Sequence, residues 1–251
     1  MSQGRQPNLL AVMAREARAA AELARLTMNP VFRGQGVPRG NGRLVLVIPG
    51  LFGNDLYLEP LHNWLRRIGY RTITSTIAFN AGCSERISHQ VESYLGRHVV
   101  QGEQVAIIGH SRGGLLAKAM AVRLGSLCSH LIFLASPVGG IERIRIKDIV
   151  DFQDVPLASG VARAGLFVRG LLDPDCSFPA CGCPFPRDLQ SPLDRATRVL
   201  SVFTPTDEIV SPTACRYPGA KNVEVSGTHS GMAYNVGAYR AIADFLTPAT
   251  A

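Results

Sequence analysis

A chain of 251 residues that is 46% hydrophobic and only 18% charged can bury one sizeable core, and its composition argues against extended disorder. The formal net charge of +7 comes from cations scattered along the chain, so it reads as a solvated surface and argues against a nucleic-acid partner. No apolar run is long enough to span a bilayer, and no internal repeat is present.

The first segment, "MSQGRQPNLLAVMAREARAAAELARL", has an apolar run too short for a signal peptide, broken by Arg15, Glu16 and Arg18. It predicts an alanine-rich helix from about Asn8 to Leu26, lying on the body through Leu9, Val12, Met13 and Leu23. Residues 1–40 are read as this helix and a linker, and the expected location is cytoplasmic. Peripheral contact of the helix with a membrane surface is the weaker alternative, and export by another route stays open.

Six short apolar, β-branched runs follow, at 43–48, 70–76, 104–109, 130–135, 198–203 and 222–226. Such continuous runs suit strands covered on both faces of a parallel sheet. Helix-compatible segments at about 55–68, 84–99, 112–124 and 234–246 separate them. The alternation predicts a single three-layer α/β domain over 1–251, with a mostly parallel central sheet of about six strands. Residues 141–197 break the rhythm and are expected to form a small cap or lid, with "ASGVARAGLFVRGLL" helical inside it. Phe152, Leu166, Phe167 and Phe178 either line a pocket there or pack on the sheet, and packing is the simpler reading for each.

Cys176, Cys181 and Cys183 lie together, and Cys215 follows. The even total of six cysteines permits disulfides, with Cys183–Cys215 or Cys176–Cys215 as the bridges that would pin the loop. Free thiols are an equal alternative. A zinc site is disfavoured because paired C-x-x-C units are missing, so no metal is expected.

The chemistry starts at "IGHSRGG", residues 108–114. A Gly-x-Ser-x-Gly pattern arises by chance in about one chain in six of this composition, so its context decides. Here a strand-like run enters it and a helix-like run leaves it, the setting in which a serine sits on a strained turn with its hydroxyl exposed. The alternative is an ordinary glycine loop. Ser111 as a nucleophile needs a base, and His229 is the one histidine well downstream of it. His110 is expected to point away from the turn and serve only in packing. Asp207 follows the strand at 198–203 and is the expected orienting acid, a turn or N-cap role being its alternative, while neighbouring Glu208 is expected to aim elsewhere. The oxyanion donors are expected to be the N–H groups of Arg112 and Leu51, with Phe52 in reserve. Gly50 lets the backbone approach a substrate, and Leu51 and Phe52 line the acyl side.

Taken together, "PGLFGN", "GHSRGG", "TPTDEIV" and "GTHSGM" resemble the α/β-hydrolase superfamily, most of all small bacterial lipases and esterases, over about 43–247. Similar lipases carry a His-Gly pair at the oxyanion loop, whereas Pro49-Gly50 stands here, which keeps the backbone donor and removes any part for a histidine side chain. The resemblance implies a Ser111–His229–Asp207 serine hydrolase that forms an acyl-enzyme on a small-molecule or lipid ester and needs no cofactor. An acyltransferase or an amide or thioester hydrolase would use the same triad, and a non-catalytic ligand-binding module is the reading from another class. The oligomeric state is not legible.

Overall fold

The computed structural model describes residues 9–139 and 182–247. The helix expected within the cap, Cys176, Cys181 and the four phenylalanine and leucine residues weighed as pocket lining lie outside the described residues.

Six strands form one sheet: β1 Leu44–Ile48, β2 Arg71–Thr74, β3 Val105–His110, β4 Cys128–Leu134, β5 Arg198–Phe203 and β6 Lys221–Glu224. Their order is β2-β1-β3-β4-β5-β6, and every neighbouring pair is parallel. The helices are α1 Leu9–Met28, α2 Glu59–Arg67, α3 Ser84–Gly96, α4 Arg112–Leu124, α5 Phe185–Gln190, α6 Pro212–Cys215 and α7 Val236–Leu246.

The continuous apolar runs are explained by burial on both faces. Every residue of β1, β3 and β4 is buried, because helices cover both sides of the sheet. Side chains alternate between the two layers with period two. Val45, Val47, Ala106, Ile108, Ile132 and Leu134 face one core with Trp64 of α2, Leu26 of α1 and the α7 side chains. Leu44, Leu46, Ile107, Leu131 and Phe133 face the other, with residues of α3, α4 and α5. The edge strands β2 and β6 are short and mostly unburied, since each pairs on one side only.

The end of the expected 141–197 insertion belongs to the body. Phe185 and Leu189 of α5 are buried against α4. Lys118 of α4, itself buried, donates to the Leu189 and Ser191 carbonyls at 2.6 and 2.8 Å. Those acceptors are the open carbonyls at the α5 C-terminus, where a cation is favourable.

Candidate active site

The parallel sheet brings the ends of its strands to one edge, where the connecting loops carry strain. Among the described residues, four other than glycine have positive φ: Phe52 (60°), Thr76 (62°), Ser111 (52°) and Ala135 (47°). They follow β1, β2, β3 and β4 respectively. Each such conformation costs roughly 1–3 kcal/mol, and clusters of this kind occur at functional sites.

Ser111 stands at the N-cap of α4, yet its side chain makes no capping bond. The Leu134 carbonyl at the end of β4 accepts the Ser111 N–H at 2.8 Å and holds the turn on the sheet. The neighbouring glycines permit close packing. A Cβ on Gly109 would strike Gly113 and Gly114 backbone, and one on Gly113 would strike the Ile48 and Pro49 carbonyls. Gly50 lies so near that its own Cβ would meet the Ser111 Cβ and His110 Nδ1 at 3.2 Å.

With capping ruled out, the Ser111 hydroxyl lies 2.9 Å from His229 Nε2. On the far side of that ring, Nδ1 lies 2.9 Å from Asp207 Oδ2 and 3.1 Å from Oδ1. Asp207 also accepts the Ile209 and Val210 N–H groups at 2.9 and 2.8 Å. One carboxylate therefore both closes the turn at Ile209 and Val210 and hydrogen-bonds the His229 ring. Three residues expected from the sequence thus meet in one hydrogen-bonded line, drawn from the ends of β3, β5 and β6.

Accounting for the N–H groups of residues 49–53 separates the oxyanion candidates. Pro49 has none. Gly50 donates to the Tyr57 hydroxyl at 2.6 Å, Phe52 to the Asn80 carbonyl at 3.0 Å and Gly53 to the Gly50 carbonyl at 3.0 Å. Only the Leu51 N–H has no acceptor among the described residues. The reserve role expected for Phe52 is therefore corrected: its donor is already engaged, and its ring stacks on Phe79 with centroids 5.7 Å apart. Arg112 opens α4, in the first turn whose N–H groups the helix's own ladder does not use.

The sequence matches no family model, and no curated protein is similar to it in sequence. Solved structures nevertheless match over most of its length. The metagenomic carboxyl esterase MGS0156 superposes with a TM-score of 0.56 at 12% identity, covering 97% of this chain and 95% of that one. MGS-MChE2, an alpha/beta hydrolase from the metagenome of sediments of the lagoon of Mar Chica, Morocco, gives 0.54 at 12% identity, with 81% and 90% covered. The mature Bacillus licheniformis lipase BlEst2 gives 0.53 at 12% identity, with 85% and 95% covered. The fold is the α/β-hydrolase fold.

Within this α/β-hydrolase fold, the structure corrects the reading of His110 as a packing residue. It ends β3, and strand parity after Ala106 and Ile108 turns its side chain toward the α2 and α7 layer. There it sits between two loops. Gly50 N–H donates to the Tyr57 oxygen, and because the His229 carbonyl beyond the ring can only accept, the ring proton sits on Nε2 and Tyr57 O–H donates to His110 Nδ1 at 2.9 Å. His110 Nε2–H then donates to the His229 carbonyl at 3.0 Å. Burial, then the adjoining His229, push its pKa down to about 4, so the ring is neutral as this bonding requires. Glu208 is likewise engaged, its carboxylate accepting the His229 N–H at 3.2 Å. Glu22 of α1 accepts the Thr228 N–H at 2.9 Å. Strand parity could have revealed His110. Tyr57 and Glu22 carry no motif, while Glu208 lies in "TPTDEIV" beside Asp207 and bonds the His229 backbone instead of its ring.

Cys215 is a fully buried free thiol, the alternative weighed equally against a bridge to it. Burial raises its pKa strongly. Among the described residues, no group of three or more His, Cys, Asp or Glu side chains is arranged to hold a metal, and no helix is long and apolar enough to cross a membrane.

Proposed function

We propose that the protein is a serine carboxylic-ester hydrolase acting on esters with an apolar acyl group. The observation that carries this reading is the unbroken line from Ser111 Oγ through His229 to Asp207, built on a serine strained to φ 52°. A serine hydroxyl is a weak nucleophile until a base takes its proton, and His229 Nε2 is within range to do so. Asp207 accepts from Nδ1–H, leaving Nε2 as the basic nitrogen, and stabilises the imidazolium that forms.

In the proposed cycle, Ser111 Oγ attacks the ester carbonyl carbon and His229 takes its proton. The tetrahedral oxyanion accepts from the Leu51 and Arg112 N–H groups. Its collapse breaks the C–O bond to the alcohol, which leaves with the proton returned by His229. Water then enters, loses a proton to His229 and attacks the acyl-enzyme. Collapse breaks the acyl C–O bond to Ser111 Oγ, which takes the proton back from His229, and the acid is released. No cofactor takes part. Leu51 and Phe52 are half-buried beside Gly50, and the exposed Phe79 stacks on Phe52; these apolar side chains next to Ser111 support an apolar acyl group.

The test is hydrolysis of p-nitrophenyl esters of rising acyl length, together with labelling by a fluorophosphonate probe. Wild type should hydrolyse part of the series and be labelled once, at Ser111. Ser111→Ala should lose labelling and at least about 10³-fold in kcat/KM. Hydrolysis unchanged in Ser111→Ala would sink the reading. Products formed with added alcohol or amine distinguish transfer to water from transfer to another acceptor.

A further inference from the structure

Leu51 lies in the loop after β1 and Arg112 opens α4, and an oxyanion hole works only when its two donors keep a fixed separation. One buried side chain sits where that separation is set. Asn80, between β2 and α3, is fully buried, and all of its hydrogen-bonding groups face the two loops. Its carbonyl accepts the Phe52 N–H at 3.0 Å, and its N–H donates to the Gly53 carbonyl at 2.9 Å. Its Nδ2 donates to the Pro49 carbonyl at 2.7 Å. These three bonds hold the chain on both sides of Leu51. Its Oδ1 accepts from Arg112 Nη1. Arg112 Nη2 continues to the Gly82 carbonyl and Ser84 Oγ at 2.7 and 2.8 Å.

We propose that Asn80 and the Arg112 guanidinium form a clamp that sets the distance between the two oxyanion donors. Arg112 thus has two separable parts, a backbone N–H aimed at the oxyanion and a charge that anchors the loop bearing the other donor. The sequence suggested only the first part. Both residues act through the position of Leu51, so Asn80 is a positioning residue. The proposal rests on the serine-hydrolase reading above.

The experiment compares Asn80→Ala, Arg112→Met and the double variant with wild type on a p-nitrophenyl ester, at active-site concentrations counted by the p-nitrophenol burst. Asn80→Ala keeps the two backbone bonds and loses the tether to Pro49 and the anchor to Arg112. Arg112→Met keeps the backbone donor and is the variant to rely on if Asn80→Ala does not fold. Loss of a whole oxyanion donor costs about 10²–10³-fold in kcat, so a displaced one should cost about 10–100-fold, with KM changed less than about threefold. Affinity for a trifluoromethyl ketone, whose adduct places an oxyanion in the same hole, should fall in parallel with kcat. The double variant should be no worse than the weaker single one, because both break one linkage. A purely structural role would lower stability and leave kcat per active site and ketone affinity unchanged, which would overturn the clamp alone. Wild type that neither hydrolyses esters nor reacts with a fluorophosphonate would overturn the clamp and the hydrolase reading together.

Discussion

His110 adjoins the serine in sequence and serves the histidine in space. Its ring links the loop of Gly50 to the loop of His229 through Tyr57, and it is fully enclosed. His110→Ala should leave the Tyr57 hydroxyl and the His229 carbonyl buried without partners, at a cost of about 2–4 kcal/mol. Urea denaturation measures that loss. His110→Ala should also lower kcat about tenfold with KM nearly constant, because His229 keeps its chemistry and loses part of its support. Wild-type kcat in a folded His110→Ala protein would return His110 to a packing role.

Elements differ in how far the sequence reveals them. β3 and α4 were legible because their residue types are self-sufficient: an apolar run enters, three glycines permit the turn and an alanine-rich segment leaves. The apolar pattern extends β2 over 70–76, yet the strand ends at Thr74, because Ser75 turns out of the sheet to bond Asp55 through N–H and Oγ at 3.0 and 2.7 Å. Nothing local announces that partnership. Asn80 is illegible for the same reason, since its partners lie in two segments distant along the chain, 49–53 and Arg112. Gly113, two residues past Ser111, shows the strength of the legible part. Gly113→Ala would drive a methyl group into the carbonyls that end β1, and should destabilise the protein by about 3 kcal/mol or more. The N-terminal helix offers a subtler test. Burial raises the pKa of Glu22 as it accepts from Thr228, and its Oε2 is buried with no bond. Glu22→Gln keeps the acceptor and should preserve kcat, whereas Glu22→Ala should lower it several-fold by loosening the residue before His229. Equal kcat in the two variants would separate α1 from the site.

The molecule as a whole should be acid-labile in a window set by its histidines. His110 and His130 are both held down to about 4, each mainly by burial, and His62 is lowered by burial as well. An unfolded chain takes up these protons near pH 6.5 and the folded protein does not, so stability falls as the pH drops from about 6.5 to about 4. The fully enclosed His110 alone corresponds to about 3 kcal/mol over that window. Urea midpoints at pH 7.5, 5.5 and 4.5 measure the slope, and a flat profile would contradict it. The same whole-chain view gives the Ser111–His229 hydrogen bond a temporal meaning. It joins residues 118 positions apart. At a synthesis rate of about 5–20 residues per second, the histidine leaves the ribosome roughly 6–24 s after the serine. During that interval the nascent chain carries a serine with no base, as inert as any other hydroxyl. On the proposed hydrolase reading, Ser111 can therefore take an acyl group only once the C-terminal loops have docked.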